Sequence, residues 1–272
     1  MKKWIGSAIV YLLLVIGGYS AYAFFAGDNT DSTHENASHG GHEEEGHGEH
    51  EEDHDSHDDS DVKAAVELEE DKLTVTLTDQ SGNAMDDLKV NHEKLMHLIV
   101  ISEDLEKFQH LHPEKIEPGM FEAQADLEDS MYAAFVDITP AEGSYETKPV
   151  SVMVGQHGDH EEKHAQLKPE TSWTKEQNGY KVTLNADNFS VKENVVLTFD
   201  IEGGEPENYL GALGHVVVVD EALEEFIHVH PREGEEPVFE AHFTQPGMYK
   251  LWAEFKLNGE VYAFPYVLEI TE

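Results

Sequence analysis

Cysteine is absent from all 272 residues of this chain. Its absence excludes disulfide bonds and thiolate metal sites, so a firm metal site must use histidine, carboxylate or methionine ligands. Basic residues are also scarce, with 17 Lys and Arg against 57 Asp and Glu and a formal net charge of −40. Such a charge repels nucleic acid and anionic membrane surfaces and concentrates cations. The composition therefore favours metal ions and basic proteins as ligands, and we expect no nucleic acid partner.

The sequence motifs of common enzyme classes are missing as well. No Ser-His-Asp order, glycine-rich phosphate loop or paired-carboxylate motif stands out from the general acidity. We therefore expect a binding protein without enzymatic activity.

The N-terminus carries a long apolar run. Lys2 and Lys3 precede residues 4–26, which contain no charged side chain. That run is long enough to cross a hydrocarbon core of about 30 Å as a helix, and the lysines orient its N-terminal end towards the cytoplasm. We expect residues 1–27 to be a signal anchor that holds a single-pass protein in the cell membrane, with its C-terminal part extracytoplasmic. The alternative is a signal peptide cleaved after the small residues near the end of the run, which would give a secreted protein.

Residues 28–62 consist almost entirely of Asp, Glu, His, Gly and Ser. A segment of this composition cannot bury enough apolar surface to fold, so we predict a disordered tether between the membrane and the folded part. Its imidazoles and carboxylates suit a loose, multivalent chelator of Zn, Ni or Cu(II), and a plain solvated spacer is the alternative. The weak metal sites of this tether are predicted at His34, His39, His42, His47, His50, His54 and His57.

The sequence HLIVISEDLEKFQHLHP at residues 97–113 recurs as HVVVVDEALEEFIHVHP at residues 215–231. The repeat keeps three histidines, a phenylalanine and a proline at the same offsets while its aliphatic residues change, which indicates a site rather than a core. Short strands of alternating polarity surround both copies and predict an all-β fold of two tandem β-sandwich domains. The predicted domains are residues 63–155 and 171–272, joined by a histidine-containing linker at 156–170.

In each copy the histidines fall on one face of a predicted β-hairpin. Antiparallel pairing of the two ends of the first repeat sets His97 opposite His112 and Ile99 opposite His110. The same pairing in the second copy involves His215, Val217, His228 and His230. Because strand residues alternate between faces, the three imidazoles of a copy lie together and suit Cu(II), Cu(I) or Zn(II). Histidines that hold the structure together or sense pH are the alternative.

Four further residues are candidate ligands. His92 and Met96 precede the first repeat only, whereas Met131 and Met248 follow the last histidines of the two repeats by 19 and 18 residues. A thioether beside imidazoles favours Cu(I). Methionine is also a common core filler, and at the start of a strand we expect packing more often than ligation.

The two regions that contain the repeats, residues 87–113 and 209–231, resemble YtkA-like domains. The resemblance covers residues 63–155 and 171–272 and rests on the His-x-His-Pro pattern of each copy. It implies immunoglobulin-like sandwiches of a bacterial cell-envelope protein linked to heavy-metal or copper handling. The positions carried over by the resemblance are His97, His110, His112, His215, His228 and His230.

These features predict a membrane-tethered, extracytoplasmic metal-binding protein that captures, buffers or delivers copper, with zinc as the alternative ion. A membrane metal transporter or another envelope protein is the expected recipient. The alternative function is an envelope protein-interaction module whose histidines are structural or pH-sensing.

Overall fold

The computed structural model describes residues 60–155, 165–186, 188–232, 234 and 236–272, except for the side chain of His230. The predicted signal anchor or signal peptide, residues 28–59 of the predicted tether with its seven histidines, and most of the linker lie outside the described residues. The last three residues predicted as tether, 60–62, are described, and Val62 is already the first residue of a strand. Within the described ranges, no helix is long and apolar enough to span a membrane.

The first domain, domain 1, is an antiparallel β-sandwich. Its strands are β1 (Val62–Glu69), β2 (Lys72–Asp79), β3 (Leu88–Lys89), β4 (Met96–Ser102), β5 (Phe108–Leu111), β6 (Glu114–Glu117), β7 (Met120–Gln124), β8 (Ser130–Pro140) and β9 (Pro149–Val154). One sheet has the order β1-β2-β7-β6, and the other has the order β3-β8-β4-β5 with β9 also paired to β8. In β2 the alternation of apolar and threonine residues buries Leu73, Val75 and Leu77 completely against the opposite sheet.

The second domain, domain 2, repeats this arrangement. Its strands are β10 (Thr174–Gln177), β11 (Tyr180–Ala186), β12 (Val195–Glu202), β13 (Pro206–Glu207), β14 (His215–Asp220), β15 (Phe226–Pro231), β16 (Val238–Ala241), β17 (Gly247–Leu257) and β18 (Glu260–Ile270). Pairing between β15 and β16 links its two layers, β10-β11-β12-β16 and β15-β14-β17-β13, and β18 pairs with β17. The predicted all-β fold with two repeated sandwich domains is confirmed, is consistent with an immunoglobulin-like architecture, and includes no helix among the described residues.

The register predicted for the two hairpins is also confirmed, although each ladder ends one pair before the predicted pairs of His97 with His112 and of His215 with His230. In domain 1, Ile99 of β4 pairs with His110 of β5. In domain 2, Val217 of β14 pairs with His228 of β15. The loops that close the hairpins are built alike, because Leu105 and Leu223 both adopt a positive φ near 60° that reverses the chain. Equal loop lengths therefore give the two repeats the same register.

Strand β4 is buried on both faces, which shows where the two domains meet. All seven residues of β4 are buried. Met96, Leu98 and Val100 pack in the core of domain 1. On the other face, Ile99 and Ile101 pack in a separate apolar cluster with Val217, Val219 and Trp252 of domain 2. The two domains belong to one compact unit. The hairpin faces that carry the histidines are therefore the faces through which the domains dock.

Candidate metal site

Six histidine side chains meet at one end of the interface between the domains. We call them the histidine cluster, which consists of His92, His97, His110, His112, His215 and His228. Neighbouring rings in the cluster have centroids 4.7 to 6.4 Å apart. The sequence predicts a set of histidines in each domain, and the structure brings the two sets into contact with one another.

Three histidines of domain 1 form the tightest group, which we call the trio. One ring nitrogen from each of His97, His110 and His112 lies within 4.8 Å of the others. Nδ1 of His97 lies 2.9 Å from Nε2 of His110. His97 is only 3% exposed, and Nε2 of His112 is buried without a hydrogen-bond partner among the described residues. A buried polar atom without a partner costs free energy unless something else satisfies it.

A backbone carbonyl fixes the orientation of one histidine in each domain. Nε2 of His97 lies 3.0 Å from the carbonyl oxygen of Asn91, and Nε2 of His215 lies 2.9 Å from that of Tyr209. Both carbonyls belong to tight turns that precede the histidine by six residues. Because a carbonyl only accepts, each Nε2 carries the proton, and Nδ1 of each neutral ring is left as an acceptor.

Two carboxylates cross the interface to the hairpin histidines. Nδ1 of His110 donates to Oε2 of Glu254 over 2.5 Å, and Nδ1 of His228 donates to Oδ2 of Asp137 over 2.6 Å. Glu254 pairs across the sheet with His215, and Asp137 pairs with His97. Each domain therefore supplies a carboxylate to a histidine of the other, in the manner of the outer partners that orient metal-binding imidazoles.

Neither carboxylate is predicted by the histidine spacing. The available signal was an acid within an otherwise apolar strand, in AAFVDIT for Asp137 and LWAEFKL for Glu254. Glu254 is only 7% exposed, and acidic residues are seldom so buried unless they have a partner.

Burial keeps three histidines of the cluster uncharged at neutral pH. It lowers the pKa of His97 to about 4 and the pKa of His112 and of His215 to about 3, and neighbouring imidazoles lower all three further. Burial alone would raise the pKa of Asp137, but its hydrogen bond to His228 and the nearby imidazoles outweigh burial, and the net pKa is below the ordinary value. Neutral imidazole is the form that binds metal ions.

The structure does not bring the candidate methionines to the cluster. Met96 points away from its neighbour His97 and is buried in the core of domain 1. Met131 and Met248 lie six residues along their strands from Asp137 and Glu254, which amounts to about 20 Å at about 3.3 Å per residue. The candidate ligand set of the described residues is therefore made of imidazoles.

Met96 instead has a packing role that the repeat makes visible. Its counterpart immediately before His215 is Gly214, where an added Cβ would lie 2.6 Å from the ring of Phe255. The phenylalanine of domain 2 thus occupies the space that a side chain at this position would need.

His92 does join the cluster, since its Nε2 lies 3.1 Å from Nε2 of His228. The backbone of His230 pairs with that of Glu240, and its side chain lies outside the described part. The tether histidines lie outside the described residues.

The chain belongs to a family defined by a domain of unknown function, DUF8832. The family model matches twice, over residues 56–156 and 175–272. No curated protein matches the chain significantly. The double match agrees with the two repeated domains of the structure.

Solved structures similar to the chain include three of distant sequence. The Escherichia coli adhesin FdeC is 18% identical, with 79% of this chain and 65% of that chain covered and a TM-score of 0.23. A pullulanase from Anoxybacillus is 9% identical, with 74% of this chain and 25% of that chain covered and a TM-score of 0.21. A mutant Salmonella alpha-2-macroglobulin is 10% identical, with 78% of this chain and 15% of that chain covered and a TM-score of 0.22. The chain spans less than two thirds of each of these structures, and similarity at these TM-scores supports no functional argument.

Proposed function

We propose that this protein binds a transition-metal ion through the histidine cluster and captures, buffers or delivers it outside the cytoplasm. The observation that carries the proposal is the trio, in which one nitrogen from each of His97, His110 and His112 lies within 4.8 Å of the others. Three convergent neutral imidazoles are a ligand set that copper and zinc accept.

Copper is the ion that we propose, with zinc as the alternative. The absence of cysteine removes the softest ligand, and imidazole accepts either metal. The resemblance to YtkA-like domains of the cell envelope is what favours copper over zinc. In the same proposal the protein transfers its ion to a membrane metal transporter or another envelope protein and has no enzymatic activity.

The proposed location follows from the sequence before the folded domains. Residues 4–26 would anchor the chain in the cell membrane, and the acidic, histidine-rich residues 28–62 would gather ions near the folded site. The net charge of −40 supports this role because it raises the local concentration of cations.

A second candidate function is favoured by the bonds that cross between the domains. The pairs of His110 with Glu254 and of His228 with Asp137 also fasten the two domains together. In an interaction module, such histidines would be structural and would bind no ion.

Metal titration of the full chain in detergent distinguishes the two functions. Every protein compared would carry asparagine in place of the seven tether histidines and of His157, His160 and His164 in the linker, which removes their background binding. We call this protein the parent. It would be titrated separately with Cu(I), Cu(II) and Zn(II), in competition with a chelator of known affinity.

The parent should bind one of these ions tightly. The double variant His110→Ala with His112→Ala should lose at least about 100-fold in affinity, since removing ligands costs more than removing their outer partners. His242→Ala is the matched control, because His242 is exposed and contacts Asn194 outside the cluster. Equal affinity of parent and double variant would reject the metal site and leave the interaction module.

A further inference from the structure

We propose that the histidine cluster holds one ion per chain at the trio, and that domain 2 completes this site instead of forming an equal site of its own. This inference rests on the proposed function. It concerns how many ions bind and which residues position their ligands.

Two lone pairs face each other within the trio. His97 donates a hydrogen bond from Nε2–H to the carbonyl of Asn91, and His110 donates one from Nδ1–H to the carboxylate of Glu254. With both rings neutral, the two remaining nitrogens, Nδ1 of His97 and Nε2 of His110, are both acceptors, yet they lie 2.9 Å apart. Two acceptors repel each other at this distance unless a cation lies between them.

A metal ion fits this position better than a proton. A proton shared between His97 and His110 would satisfy only those two rings, whereas a metal ion can also bind the third imidazole of the trio. An ion at about 2.0–2.1 Å from two tetrahedrally arranged nitrogens holds them about 3.3 Å apart, so the rings need to move by only a few tenths of an ångström. One ring nitrogen of His112 lies within 4.8 Å of ligand nitrogens of both rings and supplies a third donor.

In domain 2, the ring nitrogen equivalent to Nε2 of His110 already has a hydrogen-bond partner. His228 donates a hydrogen bond from Nδ1–H to Asp137, so Nε2 of the neutral ring is also an acceptor. That nitrogen lies 3.1 Å from Nε2 of His92, which can donate its proton and complete an ordinary hydrogen bond. The hydrogen bond from His92 thereby occupies the lone pair on Nε2 of His228, the domain 2 counterpart of Nε2 of His110.

His92 has no histidine counterpart in the second repeat. It lies in the turn between Asn91 and Lys94, and the matching turn between Tyr209 and Ala212 carries Leu210. The two residues share a left-handed backbone, with φ of 45° at His92 and 51° at Leu210. Leucine is therefore compatible with this turn, and the difference between the domains lies in the side chain.

Glu254 is the contribution of domain 2 to the site. Its carboxylate holds the Nδ1 proton of His110 and so directs Nε2 of that ring towards the ion. Glu254 is a positioning residue, and it belongs to the domain that supplies no member of the trio. Asp137 makes the matching bond to His228 and serves as its natural control.

The test counts ions and measures affinity in the parent protein. The probe is whichever of Cu(I), Cu(II) and Zn(II) the parent binds most tightly, with stoichiometry from native mass spectrometry and affinity from chelator competition. We expect one tightly bound ion in the parent. Glu254→Gln should weaken its binding by about 10- to 100-fold, the loss typical of an outer hydrogen-bond partner. Asp137→Asn should leave the affinity within roughly threefold, since the Asp137 carboxylate hydrogen-bonds His228, which is outside the trio.

His92→Leu reproduces the turn of the second repeat and should raise the stoichiometry from one ion to two. Two ions of equal affinity in the parent, or equal weakening by Glu254→Gln and Asp137→Asn, would overturn the inference while leaving the metal-binding function intact. A single ion in folded His92→Leu would overturn the role given to His92. A parent that binds no ion tightly would instead reject the proposed function itself. Circular dichroism and melting temperature of each variant without metal confirm that a loss of affinity is not a loss of fold.

Discussion

Acidification should destabilise the domain pair through its buried histidines. Burial lowers the pKa of His97 to about 4 and the pKa of His112 and of His215 to about 3, against 6.5 for an ordinary histidine. Below pH 6.5 the unfolded chain takes up protons at these positions, whereas the folded chain does not until the pH falls to the lowered values. The free energy of unfolding therefore decreases as the pH falls below 6.5. Above pH 6.5 these histidines cause no such loss of stability.

The expected size follows from the gap between the unfolded pKa and the pH of the experiment. At about pH 5, each of these histidines should lower the free energy of unfolding by about 2 kcal/mol. The pH is then about 1.5 units below the pKa of the unfolded chain, and each unit is worth about 1.36 kcal/mol. The result hardly depends on whether the folded pKa is 3 or 4, since the folded ring stays neutral at pH 5 in either case. Coupling among the three rings makes their sum an upper limit.

Urea unfolding of the parent without metal, followed by tryptophan fluorescence at about pH 7.5 and about pH 5, measures this loss. His112→Gln removes one titrating group, so the variant should lose about 2 kcal/mol less than the parent on acidification. His242→Gln, at an exposed position, should behave like the parent and controls for the general effect of pH on so acidic a chain. If the parent and His112→Gln lost the same free energy, His112 would not be the buried neutral histidine described here.

Three further outcomes are expected. Trp252→Ala should lower the free energy of unfolding by about 3–5 kcal/mol, because Trp252 is 3% exposed and its ring centroid lies 4.9 Å from that of Phe108. Trp252→Phe should lower it much less, and urea unfolding measures both variants. Gly214→Ala should reduce metal affinity as well as stability, since its Cβ would lie 2.8 Å from the carbonyl oxygen of Glu254 and displace that strand; unchanged affinity in chelator competition would contradict the packing described. Restoring the seven tether histidines to the parent should add weakly bound ions in equilibrium dialysis without changing the affinity of the tight site, and a changed tight affinity would show that the tether takes part in it.

The hairpins were predictable because their register depends on local spacing. Strand residues alternate with a period of two, and the loops of the two repeats have equal length, so Ile99 had to face His110 once the strands paired. The shared face of the histidines follows from the same alternation.

The docking of the two domains was not predicted, although part of its signal is in the sequence. The runs LIVI after His97 and VVVV after His215 lack polar alternation, which indicates strands buried on both sides. What covers the second side depends on contacts between residues more than 100 positions apart, such as His110 with Glu254. Spacing within one repeat carries no information about such contacts, so the two sets of histidines were considered separately.

The two histidine–carboxylate hydrogen bonds across the domain interface are arranged symmetrically. The histidine of each hairpin contacts an acid in the other domain that lies at the corresponding place on its own strand, as residue i contacts j and j contacts i across the two-fold axis of a homodimer. A protein with a single domain of this kind holds both halves of such a contact and can form it by pairing with a second copy of itself. Joining the two copies in one chain removes the requirement that they be identical, and the pair of His92 and Leu210 is one place where they differ.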